Sequence, residues 1–478
     1  MRRSHLKAWL ALTLLAATGA ACGATLTAQQ AREDFALARR ALEEVHAGLY
    51  RYTPKAQLDR VFDAAASGLD HPMDELQLLR VLAPAVAAVR CGHTALRLSP
   101  ALKAQREQAL LLPLNVSIVR GRLYILRDFA RTGALAGREI VSLNGVPSAA
   151  VIARLDAATA GDGFIATGRA RDVAHTFKEL LYAHFGMQGK FALGLRAPQG
   201  RGVEQMDLDG QPYAALKALA ASRYPQDRPS DKFAQLSFFD DGKIARLQVF
   251  NFSDREEAEE GPTILKKAFA SMAAKGTQTL LLDLRDNGGG EDALGKRLFS
   301  YLVDAPFPYY QDLMIKRPGL SFAQYVEGEA GVPADALVQR PDGLYAPRKH
   351  PNLGIQQPAQ ATFKGKVIAL INGWSFSTTA ELITQLHDKR RASFVGEESG
   401  GAYHGNTSGG EVTLVLPNSG LRVHIPLMAY TLAVSGQHAV GRGVVPEVEV
   451  LSEIEDQLSG RDPQMERALA MARFSQAR

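Results

Sequence analysis

Two apolar runs constrain the fold of this chain more than any other feature. Thr277-Gln-Thr-Leu-Leu-Leu-Asp283-Leu-Arg285 and Val367-Ile-Ala-Leu-Ile371 are nearly continuous rather than alternating, as strands buried on both faces are. Each breaks at a polar turn into a helical pattern. The first meets Asp286-Asn287-Gly288-Gly289-Gly290 and a helix from about Glu291 to Leu302. The second meets Asn372-Gly-Trp-Ser375-Phe-Ser377-Thr-Thr-Ala-Glu381 and a helix over Ala380–Leu386. With the strand-like Lys243–Phe250 and the helical Pro262–Ala274, the pattern predicts a mixed or parallel sheet covered on both faces.

The two turns also carry chemistry. A glycine-rich loop between strand and helix presents backbone N–H groups to an anion. The Gly-Lys-Ser/Thr ending of a phosphate loop and the Gly-x-Gly-x-x-Gly dinucleotide spacing are both missing, which leaves an oxyanion hole among the uses of such a loop. The second turn puts Ser377 at a strand-to-helix corner beside free N–H groups, the setting of a nucleophilic serine. Taken alone, the stretch favours Ser375, Ser377 and Thr378 as helix caps.

A chain of 478 residues is expected to form more than one domain. Its start reads as an export signal: basic Met1–Lys7, an apolar stretch Ala8–Ala17, then small residues that suit cleavage between Ala21 and Ala24. The expected location is periplasmic or secreted. Cys22 offers a lipid anchor, although Gly19 stands where a lipoprotein signal usually has an aliphatic residue. Beyond the signal only Cys91 remains, so no internal disulfide forms, and a lone Cys reads as a small buried hydrophobe. A net charge of +5 without a dense Lys/Arg run argues against nucleic acid as partner. No later segment has the length of an integral membrane span. No cofactor or metal is expected, since no His-Glu-x-x-His spacing occurs.

Residues 29–110 show helical periodicity in Phe35, Leu37, Ala38, Ala41, Leu42 and Val45, and again over 78–86. That region ends in Gly92-His93-Thr94, where a His at a helix-to-strand junction is free to face a cleft or to be hydrogen-bonded structurally. From residue 111 to 207 the period is that of strands, with a looser helical insertion near Gly161–Phe185. Its run Ile140-x-x-x-Asn144-Gly145-x-Pro147, followed by an apolar helix, resembles a PDZ module, which binds peptide ends by strand addition. A purely structural β-domain is the alternative. Tyr224–Pro229 reads as a linker, residues 232–455 as a second α/β domain, and 307–361, rich in Pro, Gly and Tyr, as a long surface insertion with one short helix near Phe322–Tyr325.

Together, Leu282–Gly290, Val367–Glu381, Arg391–Gly401 and Gly443-Val-Val-Pro446 resemble the C-terminal processing (tail-specific) serine peptidases, relatives of the tricorn core proteases. The resemblance implies a multidomain α+β or α/β fold: a helical N-terminal cap, a PDZ-like module and a catalytic domain like those of ClpP and the crotonases. It implies a serine peptidase acting on polypeptides through an acyl-enzyme, with Ser377 preferred to Ser375 as nucleophile. Oxyanion donors are expected at Gly288, Gly289 and Thr378, and PDZ-like substrate contacts at Ile140, Asn144 and Gly145. One branch of the family uses a Lys base, and the matching segment Gly400–Asn406 has none. The tricorn-like branch uses a His in a motif similar to Gly92-His93-Thr94, so His93 is the expected base, with His404 the runner-up and His438 third. That branch's acidic orienting residue falls on Val440, which leaves the role open; Thr94 is a candidate. Asp283 and Arg285 are expected to be structural. The alternative function is an inactive peptide- or ligand-binding protein on the same fold.

Overall fold

In a computed structural model, residues 25–130, 133–197, 200, 202–227, 230–253, 260–328 and 331–476 are described. The export signal, Cys22 and the end of the expected linker at Pro229 lie outside them.

The two apolar runs become neighbouring strands, Thr279–Asp283 and Lys366–Ile371, at the centre of a six-stranded sheet. The order is Ala234–Phe239, Ile244–Val249, Thr279–Asp283, Lys366–Ile371, Ser393–Gly396, Val448–Glu449, with only the first strand antiparallel to its neighbour. Both faces are covered, which is why the runs do not alternate. Leu280, Leu282, Val367, Ala369 and Ile371 meet Leu265, Phe269, Leu294, Leu298, Leu382 and Leu386 of three helices on one side. Leu281, Ile368 and Leu370 meet Met465, Ala468 and Ala472 of the helix Pro463–Gln476 on the other. That last helix lies beyond residue 455, where the catalytic domain was expected to end.

Two expectations change. The stretch 307–361 is not only a surface insertion: Tyr310–Ile315 pairs with Met428–Leu432, and Tyr309, Tyr310, Leu313 and Ile315 are buried in the main core. Its short apolar pattern is masked in sequence by the Pro and Gly around it. The N-terminal helices Ala28–Val45, Lys55–Ser67 and Glu75–Ala87 likewise close no core of their own. Phe35, Leu42, Leu58, Leu78 and Leu82 pack against Val412, Leu414, Val423 and Ile425 from the far end of the chain, and Ala95–Arg97 pairs with Arg422–Ile425. The short 3-10 helix in the insertion is present at Ala323–Tyr325.

Between these regions, Leu114–Val119, Arg122–Asp128, Glu139–Leu143, Lys190–Arg196 and Glu204–Asp209 form an antiparallel sheet around its own apolar core. Ile140 is 1% exposed within that core. Asn144 and Gly145 both take positive φ in the turn, and Asn144 Oδ1 accepts the Ala192 N–H at 2.8 Å. Ile140 is therefore spent on the core of the module, whereas Asn144 and Gly145 shape an exposed turn.

Candidate active site

The two strand-to-helix turns lie side by side because their strands are adjacent. Asn372 Nδ2 donates to Asp286 Oδ1 at 2.8 Å, and the Asp286 N–H returns a bond to Asn372 Oδ1. The Thr378 hydroxyl donates to the Gly290 carbonyl at 2.7 Å. The Phe376 N–H donates to the Asn287 carbonyl at 3.1 Å. Gly289 sits at φ +101°, and a Cβ there would stand 2.7 Å from Ser377 Cβ, so only glycine allows the loops to approach this closely.

The geometry separates the two serines. Ser375 is fully buried, donating to the Leu284 carbonyl at 2.8 Å and accepting the Asn372 N–H at 3.0 Å. Its hydroxyl is consumed in holding the turn. Ser377 is the N-cap of the helix Thr378–Asp388, yet its side chain makes no capping bond. Its backbone is held at φ 55°, ψ −129°, an uncommon conformation for a residue with a side chain. The hydroxyl so displayed meets His93 Nε2 at 3.1 Å, across 284 residues of sequence.

His93 is carried by the turn between the helix Glu75–Ala87 and the strand Ala95–Arg97. Its ring stacks on Phe376, with centroids 4.6 Å apart. A Cβ on Gly92 would stand 2.6 Å from Phe376 Cζ, so the preceding glycine is a steric requirement of that stack. Burial lowers the His93 pKa, and the negative charges of Asp162 and Glu411 act in the opposite direction. Nδ1 is sealed from solvent and has no hydrogen-bond partner among the described residues.

The structure places other expected residues elsewhere. His404 and His438 cluster with Tyr403, and His438 stacks on that ring at 3.6 Å. Thr94 is not the orienting group, because its hydroxyl is bonded to His46 Nε2 at 2.8 Å. The Gly289 N–H donates to Asn287 Oδ1 at 2.9 Å, so it is already engaged and is no longer a donor for an oxyanion. Gly288 is exposed and lines the adjoining cavity, and Thr378 begins its helix. Val440 is 63% exposed. Asp283 and Arg285 form a buried ion pair extended by Arg246 and Asp462. Cys91 is buried, which pushes its thiol up to about 12 and suits a structural residue.

Sequence reasoning missed Asp162. It is buried within the helical insertion of the β module, and its oxygens accept the Gly92 N–H at 2.7 Å and the Ala402 N–H at 3.4 Å. Its carboxylate and a His93 ring nitrogen lie within 4.8 Å of each other. The only local signal is an Asp between two glycines, and nothing in its spacing relates it to His93. The same insertion brings Asp172, which accepts the Trp374 indole N–H at 2.8 Å. A cavity of about 300 Å³ opens here, lined by Asp162, Asp172, Arg169, Trp374, Phe376 and Gly288 among others.

Comparison with known proteins places this fold. Residues 243–450 match the model of peptidase family S41. The crystal structure of mature CPAF aligns over 91% of this chain and 95% of its own at 16% identity, with a TM-score of 0.61. Mature CPAF complexed with lactacystin aligns over 94% and 98% at 15% identity, with a TM-score of 0.66. At such identities the likeness is one of fold. No curated protein matches the chain in sequence. Residues 243–450 therefore form a domain of peptidase family S41, and the chain is a serine-type peptidase.

Proposed function

We propose that this peptidase is exported and cleaves polypeptides through an acyl-enzyme on Ser377. His93 Nε2 takes the hydroxyl proton as Ser377 Oγ attacks the peptide carbonyl, and returns it to the leaving amine. Gly288 and Thr378 N–H groups, on separate loops, receive the oxyanion; each such donor is typically worth about 2.7–4 kcal/mol of barrier. Asp162 stabilises the imidazolium and holds its orientation. Water then hydrolyses the ester. The β module over 114–209 serves as a PDZ-like platform that presents the substrate chain.

The observation that carries this reading is the 3.1 Å approach of an uncapped serine hydroxyl to a half-buried imidazole from a distant part of the chain. Export rests on the basic and apolar N-terminal segment, with Cys22 as the site of a lipid anchor. A fluorophosphonate probe tests the chemistry: wild type is labelled and Ser377→Ala is not. Folded wild type that stays unlabelled would overturn the mechanism in favour of a binding protein. Cell fractionation tests export.

A further inference from the structure

Cys91, His93 and Asp162 bring a thiol, an imidazole and a carboxylate to one point, with one ligand atom of each within 4.8 Å of the other two. Their spacing in sequence matches no metal motif, because Asp162 arrives from another module. Three further observations bear on this cluster. His93 Nδ1 is buried without a hydrogen-bond partner among the described residues, while Nε2 faces Ser377. The sulfur of Cys91 is buried beside Thr94 and lies 3.4 Å from the Thr407 carbonyl. Asp162 and Gly92 line the 300 Å³ cavity that opens beside the serine loop, which provides an entry path.

We propose that Cys91, His93 and Asp162 form an inhibitory Zn²⁺ site that switches the peptidase off. One sulfur, one nitrogen and one oxygen donor suit zinc, whereas magnesium and calcium prefer all-oxygen sets. The fourth tetrahedral position is left to water. Zinc bonds of about 2.0–2.3 Å place donors roughly 3.3–3.8 Å apart, so the cluster closes by about 1 Å on binding. Asp162 is already anchored by the Gly92 and Ala402 N–H groups, which act as the outer support such a ligand needs. Zn²⁺ binds the thiolate, the neutral imidazole and the carboxylate, and the thiol proton passes to solvent.

The consequence for catalysis follows from the two ring nitrogens. A metal on Nδ1 leaves the ring proton on Nε2, the atom that faces Ser377. That nitrogen then donates and no longer accepts, so the serine loses its base. The inhibition rests on the proposed function; metal binding by the cluster does not.

The test separates the two. Full-length Ser377→Ala is titrated with Co²⁺ as a spectroscopic substitute for zinc. One equivalent should produce a thiolate-to-cobalt charge-transfer band in the near ultraviolet, absent when Cys91→Ala or Cys91→Ser is added. In the otherwise wild-type enzyme, Zn²⁺ should suppress peptide hydrolysis and fluorophosphonate labelling at least tenfold. Cys91→Ala and Cys91→Ser should keep their basal activity and need at least tenfold more zinc for the same effect. No thiolate band, a band that survives loss of Cys91, or unchanged zinc sensitivity in both Cys91 variants overturns the proposal. A wild type that binds cobalt through Cys91 but neither labels nor hydrolyses would overturn the peptidase mechanism and leave the metal site standing.

Discussion

The serine and the histidine of the site are held in opposite ways. Ser377 stands on two loops that follow adjacent strands of one sheet, sewn together by Asn372, Asp286, Ser375, Asn287 and Thr378. His93 stands on a turn at the edge of the N-terminal helices, positioned by its stack on Phe376 and by the grip of Asp162 on Gly92. The first half is built by local sequence and one strand pairing. The second is built where three separate parts of the chain meet. Loss of a residue that sews the serine loops together should therefore affect stability first, whereas damage on the histidine side should affect turnover first.

The largest effect expected is from Ser377→Ala, with hydrolysis falling roughly 10⁴- to 10⁶-fold and a melting temperature near that of wild type. His93→Ala should fall into the same range, while His404→Ala stays close to wild-type turnover. The reverse result for the two histidines would remove His93 from the mechanism.

A pH effect of roughly 3 kcal/mol is expected beneath the serine helix. Burial raises the Glu381 carboxyl from 4.5 to about 7, although Tyr310 and Asn406 both donate to it. Between these values the folded state holds a proton that the unfolded chain has lost. Stability from this group is therefore complete below pH 4.5 and declines as pH rises through 7. Chemical denaturation of wild type and Glu381→Gln across that window should show a slope in the first that flattens in the second.

Gly92→Ala probes the histidine side directly. The new Cβ displaces Phe376 and the imidazole stacked on it. A shift of that kind costs on the order of 10²-fold in turnover. Circular dichroism and the melting temperature should change far less than the rate. Equal losses of fold and activity would break the distinction between the two halves.

Ser375→Ala gives the smallest and most diagnostic result. It removes the hydroxyl shared between the Leu284 carbonyl and the Asn372 N–H, at a cost of about 1–3 kcal/mol in unfolding free energy. Fluorophosphonate labelling of the folded fraction should persist. Two serines two residues apart should thus fail in different measurements.

Much of the serine half is legible in the chain itself. The continuous apolar runs require a sheet covered on both faces. Their polar ends require turns, and Gly288–Gly290 opposite Asn372–Ser377 makes those turns adjacent once the strands pair. These are short-range rules of period, turn chemistry and backbone freedom. The family motifs in the same segments carry the resemblance for the same reason. Within Pro- and Gly-rich 307–361 those rules were outvoted, because the buried strand Tyr310–Ile315 is specified by its partner Met428–Leu432 rather than by its own flanks.

The rest depended on tertiary structure. The resemblance of Gly92-His93-Thr94 points to His93 among several histidines, but only the fold brings it, from 284 residues away, to Ser377. Gly289 looks like an anion donor until Asn287 is seen to take its N–H. Asp162 has no motif at all: it acquires its role when the insertion of the β module folds onto the Gly92 turn. By itself, the sequence determined where a serine nucleophile and an oxyanion loop can form, because those depend on neighbouring residues. That His93 and Asp162 come to stand beside them was decided by packing between distant segments, where contact depends on where folded surfaces meet.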